Sequence, residues 1–204
     1  MSPDPKPSKT SVVTDFRRSQ ILEAARESFV RHGLAGTTVD GIAKTAGVAK
    51  GTVYLYYKSK DELLRQLLDE DVAELRADTL TAITGPGRLD EKLHRFLVGM
   101  LAFFDRKRDF VEHVHFEMGT EIRKKAQQQL ERAFRDQVKA WTRALSEAHA
   151  EGVVGDLHVP STARALVALA QGLAKQRLRG WSTGSLNPIA AQASALLWKG
   201  LAAR

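Results

Sequence analysis

The sequence predicts an all-α protein of about nine helices, with a three-helix N-terminal domain built round a helix-turn-helix and a larger helical C-terminal domain. Three observations predict it. From Thr37 to Leu63 two short helical patterns meet at a tight Ala46-Gly47-Val48 turn, and a third helix starts after Lys58. From Ser59 onward apolar residues recur at helical spacing and no segment reads as a strand. The last two helices are rich in Ala, Gly and Leu round much of their circumference, as helices buried on most sides must be.

The helix-turn-helix reads residue by residue. Thr37, Thr38 and Asp40 offer side-chain oxygens to the free amides that open its first helix. Val39, Ile42 and Ala43 fall at i, i+3 and i+4 and give that helix an apolar side, while Val48 and Val53 close the shared core from the second helix. Gly47 sits where the chain reverses, in a conformation that costs glycine little. The second helix, about residues 49–57, carries Lys50, Thr52, Tyr54 and Tyr56 as outward polar candidates, and Gly51 would permit close backbone approach. Such a helix suits the DNA major groove, where a lysine supplies charge and hydroxyls supply hydrogen bonds. With Arg17 upstream, Thr37 and Thr38 at the first cap and Lys60 at the start of the third helix, these residues form the candidate DNA-contact set. Ser59 followed by Glu62 is a capping box that begins that third helix.

Residues Thr37-Thr38, Ile42-Ala43, Ala46-Gly47-Val48, Lys50-Gly51-Thr52-Val53-Tyr54, Tyr57 and Ser59-Lys60 resemble the signature of TetR-type (TetR/AcrR) transcriptional regulators. The likeness begins upstream, where residues 18–33 resemble that family's first helix, with Ile21, Leu22, Ala25 and Phe29 as its stripe and Gly33 as its C-terminal cap. It covers roughly the first 65 residues and is only architectural beyond them. Two positions depart from the pattern. Ala49 stands where Ser or Thr is common, which removes a helix cap and a phosphate contact; Tyr57 replaces the usual Phe and adds a hydroxyl to a core position. The resemblance implies a ligand pocket in the C-terminal domain and a homodimer.

Composition agrees. The chain has 204 residues, 43% of them hydrophobic and 27% charged, ordinary values for a globular protein. The net charge of +7 is uneven: residues 1–60 hold ten Lys/Arg against five Asp/Glu, whereas the remaining 144 hold 21 against 19. The basic excess lies with the helix-turn-helix, as a phosphate-facing surface requires. There is no cysteine, which excludes disulfides, thiolate metal sites and thiol redox sensing. No apolar signal core or run of about 18 apolar residues occurs, so a cytoplasmic protein without a membrane partner is expected.

Organisation follows from the breaks. Residues 1–14, with three prolines, read as a disordered basic tail, either inert or an arm along the phosphate backbone. Residues 15–60 form the DNA-binding domain, with the helix-turn-helix at about 38–58, and residues 61–204 the ligand-binding and dimerisation domain. Phe96, Met100, Phe104, Phe110, His113, Phe116, Met118, Phe134 and Trp141 gather bulky side chains into one stretch. They are either plain core or the lining of a mainly apolar effector pocket. Leu166, Ala170, Leu173, Ile189, Ala193, Leu196, Leu197 and Gly200 mark the small-residue helices as the candidate dimer interface, the alternative being the core of a monomer. His113 and His115 point about 200° apart on one helix and make no metal site. No catalytic or cofactor motif is present, so neither an enzyme nor a cofactor is expected. The leading expectation is a ligand-responsive regulator, a repressor that binds a palindromic operator as a homodimer and leaves it when a small apolar effector binds. The alternative is an architectural DNA-binding protein without an effector.

Overall fold

The computed structural model describes residues 9–115, 117–180 and 184–202. Among them the regular elements are helices: α1 (Lys9–Gly36), α2 (Val39–Thr45), α3 (Lys50–Tyr56), α4 (Lys60–Thr84), α5 (Leu89–Arg106), α6 (Arg108–His115), α7 (Thr120–Ala150), α8 (Val159–Leu178) and α9 (Leu186–Leu201). One isolated antiparallel bridge joins Val154 and Ala202. The expected helical count and class therefore hold.

The chain forms two compact units, and they do not divide where the sequence suggested. The first comprises the residues up to Asp69 together with Asp109–Lys124; the second comprises Glu70–Arg108 and Lys125–Arg204. The expected boundary at 60/61 is thus passed by nine residues, and a later segment containing α6 returns to the N-terminal core. The reason is packing. Phe110, Val114, Met118 and Ile122 are buried against Ile21, Phe29, Ile42, Val53 and Leu64, and the Arg26 guanidinium lies 4.9 Å from the Phe110 ring centre. Fully burying side chains of this size contributes about 1.5–3 kcal/mol each.

Several element ends differ from expectation. Of the tail at 1–14, residues 9–14 are the first turns of α1, and residues 1–8 lie outside the described residues. Gly33 breaks the helical conformation with φ +69°, as its capping role requires, yet a further turn continues to Gly36. Ser185 occupies the cap position of α9.

In the second unit α5 buries Leu93, Phe96, Leu97, Met100 and Leu101 on one face, the stripe that its spacing predicts. Phe96 meets Trp141 of α7 edge to face, with ring centres 5.5 Å apart. Asp105 binds Arg177 of α8 through two charge-assisted hydrogen bonds of 2.8 and 2.7 Å. Lys107 sits between Asp71 and Glu74 at 2.8 and 2.9 Å. Among the described residues no helix is long and apolar enough to cross a membrane, and no group of three potential metal ligands occurs.

Candidate nucleic-acid interface and effector core

Helix α2 is opened by Thr38, whose hydroxyl accepts the Gly41 amide at 3.0 Å. The turn that follows is tied by Val48 N–H to the Ala43 carbonyl and by Gly47 at φ +64°. Gln20 of α1 donates to the Ala46 carbonyl at 2.9 Å, which fixes the turn against the first helix. Helix α3 starts at Lys50 with Ala49 at its cap position and no side-chain cap bond, the gap that the Ala49 departure foretells. Ser59 then accepts the Glu62 amide at 3.1 Å, while the Glu62 carboxylate takes the Lys58 amide at 2.6 Å, one residue earlier than a reciprocal box would place it.

These locks leave α3 with two unlike faces. Val53 is fully enclosed, and Tyr57, just past the helix, is buried with its hydroxyl 3.5 Å from the Arg18 carbonyl. Outward stand Lys50, Gly51, Tyr54 and Leu55, the last two 48% and 82% exposed. A Cβ placed on Gly51 would meet nothing within 4 Å, so the fold itself does not require glycine there. Lys50 is held 2.8 Å from Asp40, and that hydrogen bond, followed by the charge attraction, raises its pKa above the ordinary lysine value.

The expected contact set is only partly gathered on this surface. Thr38, Lys50, Gly51 and Tyr54 are exposed; Thr52 and Tyr56 are half-buried, with Tyr56 packed on the core. Arg17 is half-buried and donates to Gln20 at 2.8 Å. Thr37 is a correction: it is buried, and its hydroxyl is shared between the Ser28 and Gly33 carbonyls, so its side chain closes α1 and is not on the outward surface. Lys60 is half-buried, and its ammonium donates to the Leu34 and Thr37 carbonyls, the latter at 3.0 Å. Sequence reasoning missed Leu55, whose exposure could have been read from its place opposite Val53 on a helical wheel. It also missed Lys44 and Lys58, exposed on either side of α3.

The residues expected to line one pocket belong to two different cores. Phe96, Met100 and Trp141 are buried in the second unit, with Phe104 and Phe134 packed against them. Phe110 and Met118 belong to the first unit's core instead. Periodicity identifies an apolar face without naming its partner, so the sequence grouped residues of two cores. Phe116 and the His113 side chain lie outside the described residues. The first unit has a cleft of about 520 Å³ lined by Leu34, Ala35, Lys60, Asp61, Glu117 and Ile122, none of them in the expected set. There Glu117 accepts the Ala35 amide at 2.7 Å and holds the turn after α6 to the end of α1.

The small-residue helices also need a correction. Leu166 and Ala170 are enclosed in their own chain's core and are not available to a partner. Leu173, Ile189, Ala193 and Leu197 are half-buried, also packed on that core. The outward face carries Ala165, Ala168 and Gly172 on α8, and Ala195, Leu196 and Gly200 on α9, with Leu196 71% exposed.

Residues 21–67 match the family described as bacterial regulatory proteins, tetR family. The HTH-type transcriptional regulator TtgR of Pseudomonas putida is 32% identical over 79% of this chain and 80% of its own. The regulator YhgD of Bacillus subtilis is 37% identical over a shorter stretch, 43% of this chain and 46% of its own, so the chain spans about half that relative's length. Among solved structures, the transcriptional regulator FadR of Bacillus subtilis, in complex with stearoyl-CoA, superposes with a TM-score of 0.66 at 22% identity, covering 89% of this chain and 98% of that one.

Proposed function

We propose that this chain, which belongs to the tetR family of bacterial regulatory proteins, is a repressor that binds a palindromic operator as a homodimer and leaves it when an effector binds. It is a transcriptional regulator with a DNA-binding helix-turn-helix, not an enzyme. The observation that carries the finer reading is the two-faced α3: Val53 anchors it, while Lys50, Gly51, Tyr54 and Leu55 face outward from a basic segment. Lys50 and Tyr54 lie about one turn apart on that face. Lys50 exchanges its exposed pairing with Asp40 for a base edge or phosphate, an exchange with little net cost at an exposed site.

A dimer supplies two such helices to two half-sites. The outward face of α8 and α9, with small residues flanking Leu196, is the surface we assign to it. Leu196→Arg should give a monomer in sedimentation while leaving the helical content intact, and a dimer of wild-type stability would remove α9 from the interface. The effector site belongs to the second unit, where aromatic rings and Met100 form the core. A large apolar part is the chemistry such a core accepts, and stearoyl-CoA bound to a protein of the same fold supports an effector of that kind. Helix α4, which begins in the first unit and ends in the second, carries the coupling. By linkage, effector and operator weaken each other's binding by the same factor.

Gel shifts with the DNA upstream of its own gene, at stated salt, test the reading. A saturable, sequence-preferring complex that dissolves on adding an apolar effector supports it. Weak sequence preference with no ligand response would point to an architectural DNA binder.

A further inference from the structure

Four buried side-chain polar atoms in the second unit have no partner among the described residues; two are guanidinium nitrogens of Arg108 and Arg177, and the other two belong to α7. They are Gln137 Oε1 and Trp141 Nε1. The two residues are four apart, so their side chains leave the same face of the helix on successive turns. Both are enclosed, with 0% and 1% exposure.

The orientation of the Gln137 amide follows from its neighbour. Thr79 Oγ1 lies 2.6 Å from the Leu75 carbonyl, to which its proton is committed. At 2.9 Å from Gln137 Nε2 the same oxygen can then only accept, so the amide NH2 faces Thr79. The carbonyl oxygen is therefore the free atom of Gln137, an acceptor, and the indole N–H is the free atom of Trp141, a donor. Around them stand the Phe96 ring, edge to face with Trp141, and Met100, whose sulfur is 3.9 Å from the Gln137 nitrogen. Buried polar atoms as a rule find partners. One acceptor and one donor on a single helical face, set among apolar side chains, complement a group that donates once and accepts once.

We infer that Gln137 and Trp141 form the polar anchor of the effector site, which takes a neutral hydroxyl, an alcohol or phenol, on an otherwise apolar molecule. The hydroxyl donates to Gln137 Oε1 and accepts from Trp141 Nε1. An ionised carboxylate fits worse, because it cannot donate to Oε1. The inference rests on the proposed reading that the protein answers an apolar effector, and adds the functional group that effector carries.

Three probes of similar shape test it on the full chain: 2-naphthol, 2-methylnaphthalene and 2-naphthoate, with the shift in melting temperature and release from operator DNA as readouts. The expected result is 2-naphthol binding about tenfold or more tightly than 2-methylnaphthalene, as at a site built to pair a hydroxyl. Gln137→Met, close to Gln in size, and Trp141→Phe should each weaken 2-naphthol towards the methyl analogue, with circular dichroism checking that the variants are folded. Equal binding of 2-naphthol and 2-methylnaphthalene overturns the inference and leaves the apolar-effector reading standing; a water held by the same two atoms would give this result. Tighter binding of 2-naphthoate also overturns it, and moves the site to the buried guanidinium nitrogens of Arg108 and Arg177. Binding of none of the three overturns the inference and withdraws support from an apolar effector of this size.

Discussion

In the first unit the buried hydroxyls of Ser28 and Thr37 each end on backbone carbonyls, at 2.8 Å for Ser28 and 2.6 and 2.9 Å for Thr37. In the second, Gln137 and Trp141 are enclosed as fully, yet each leaves a polar atom without a partner among the described residues, as do Arg108 and Arg177. The difference matches two kinds of work. A DNA-reading helix must be held at a fixed angle, and polar side chains in this unit tie the chain down: Gln20 to the turn, Thr38 to the start of α2, Lys60 to the end of α1. On the proposed reading, the second core answers a ligand and keeps hydrogen-bonding capacity that its own chain does not use, at a cost in stability.

The largest expected effect tests whether the second core is nevertheless a packed one. Phe96→Ala should cost about 3–5 kcal/mol in urea unfolding, the range for truncating a fully buried aromatic residue. A loss below about 1 kcal/mol would mean that the ring faces open space.

Next is the ion pair of Asp105 with Arg177. The Arg177 hydrogen bonds hold the Asp105 carboxyl below the usual carboxylate range, and burial opposes them without reversing the shift. A depressed folded pKa places the pair's stabilisation above the unfolded value of about 3.9, and removes it as pH falls through the folded one. Asp105 retains 27% side-chain exposure, so Asp105→Asn should cost about 2 kcal/mol at pH 7, less than a fully buried pair. That difference from wild type should close in acid. A difference independent of pH would assign the effect to packing.

A smaller effect sharpens the contrast itself. Thr37→Val strips two hydrogen bonds from carbonyls in the first unit and should cost about 1–2 kcal/mol. In the second unit Gln137→Met removes an unpaired oxygen along with a single bond to Thr79, and should change stability by less than about 0.5 kcal/mol in either direction. Equal costs at the two sites, measured by chemical denaturation, would dissolve the contrast.

How much of this was legible beforehand depends on the range of the interactions. The helix-turn-helix was readable because its core is local: Ile42, Ala43, Ala46 and Val53 lie within twelve residues, and their spacing fixes which side is buried. Thr37 misled because a threonine before a helix suits a cap, a phosphate contact or a buried bond equally well. The deciding partners are the carbonyls of Ser28 and Gly33, nine and four residues upstream and brought near by the kink in α1. Phe110 and Met118 were recognisable as core residues, but which core they join is set by the chain's return to the first unit. Between residues 165 and 174 of α8 every position but Gln171 is small or apolar, so the sequence could not distinguish Leu166 and Ala170, turned inward, from Ala165, Ala168 and Gly172, turned outward. The Gln137–Trp141 pair was half visible. Trp141 stands in the expected pocket set, while Gln137 is absent from it, though it is completely buried.

Whether the outward face of α3 reads DNA can be measured by fluorescence anisotropy with a duplex selected from a random pool. At physiological salt the wild-type chain should bind that duplex at least about 1,000-fold more tightly than a scrambled one. Lys50→Ala should cost about 1–3 kcal/mol of the specific binding with folding unchanged. Equal affinity for selected and scrambled duplexes, or an unaltered affinity in the variant, would mean that this face of α3 does not read DNA.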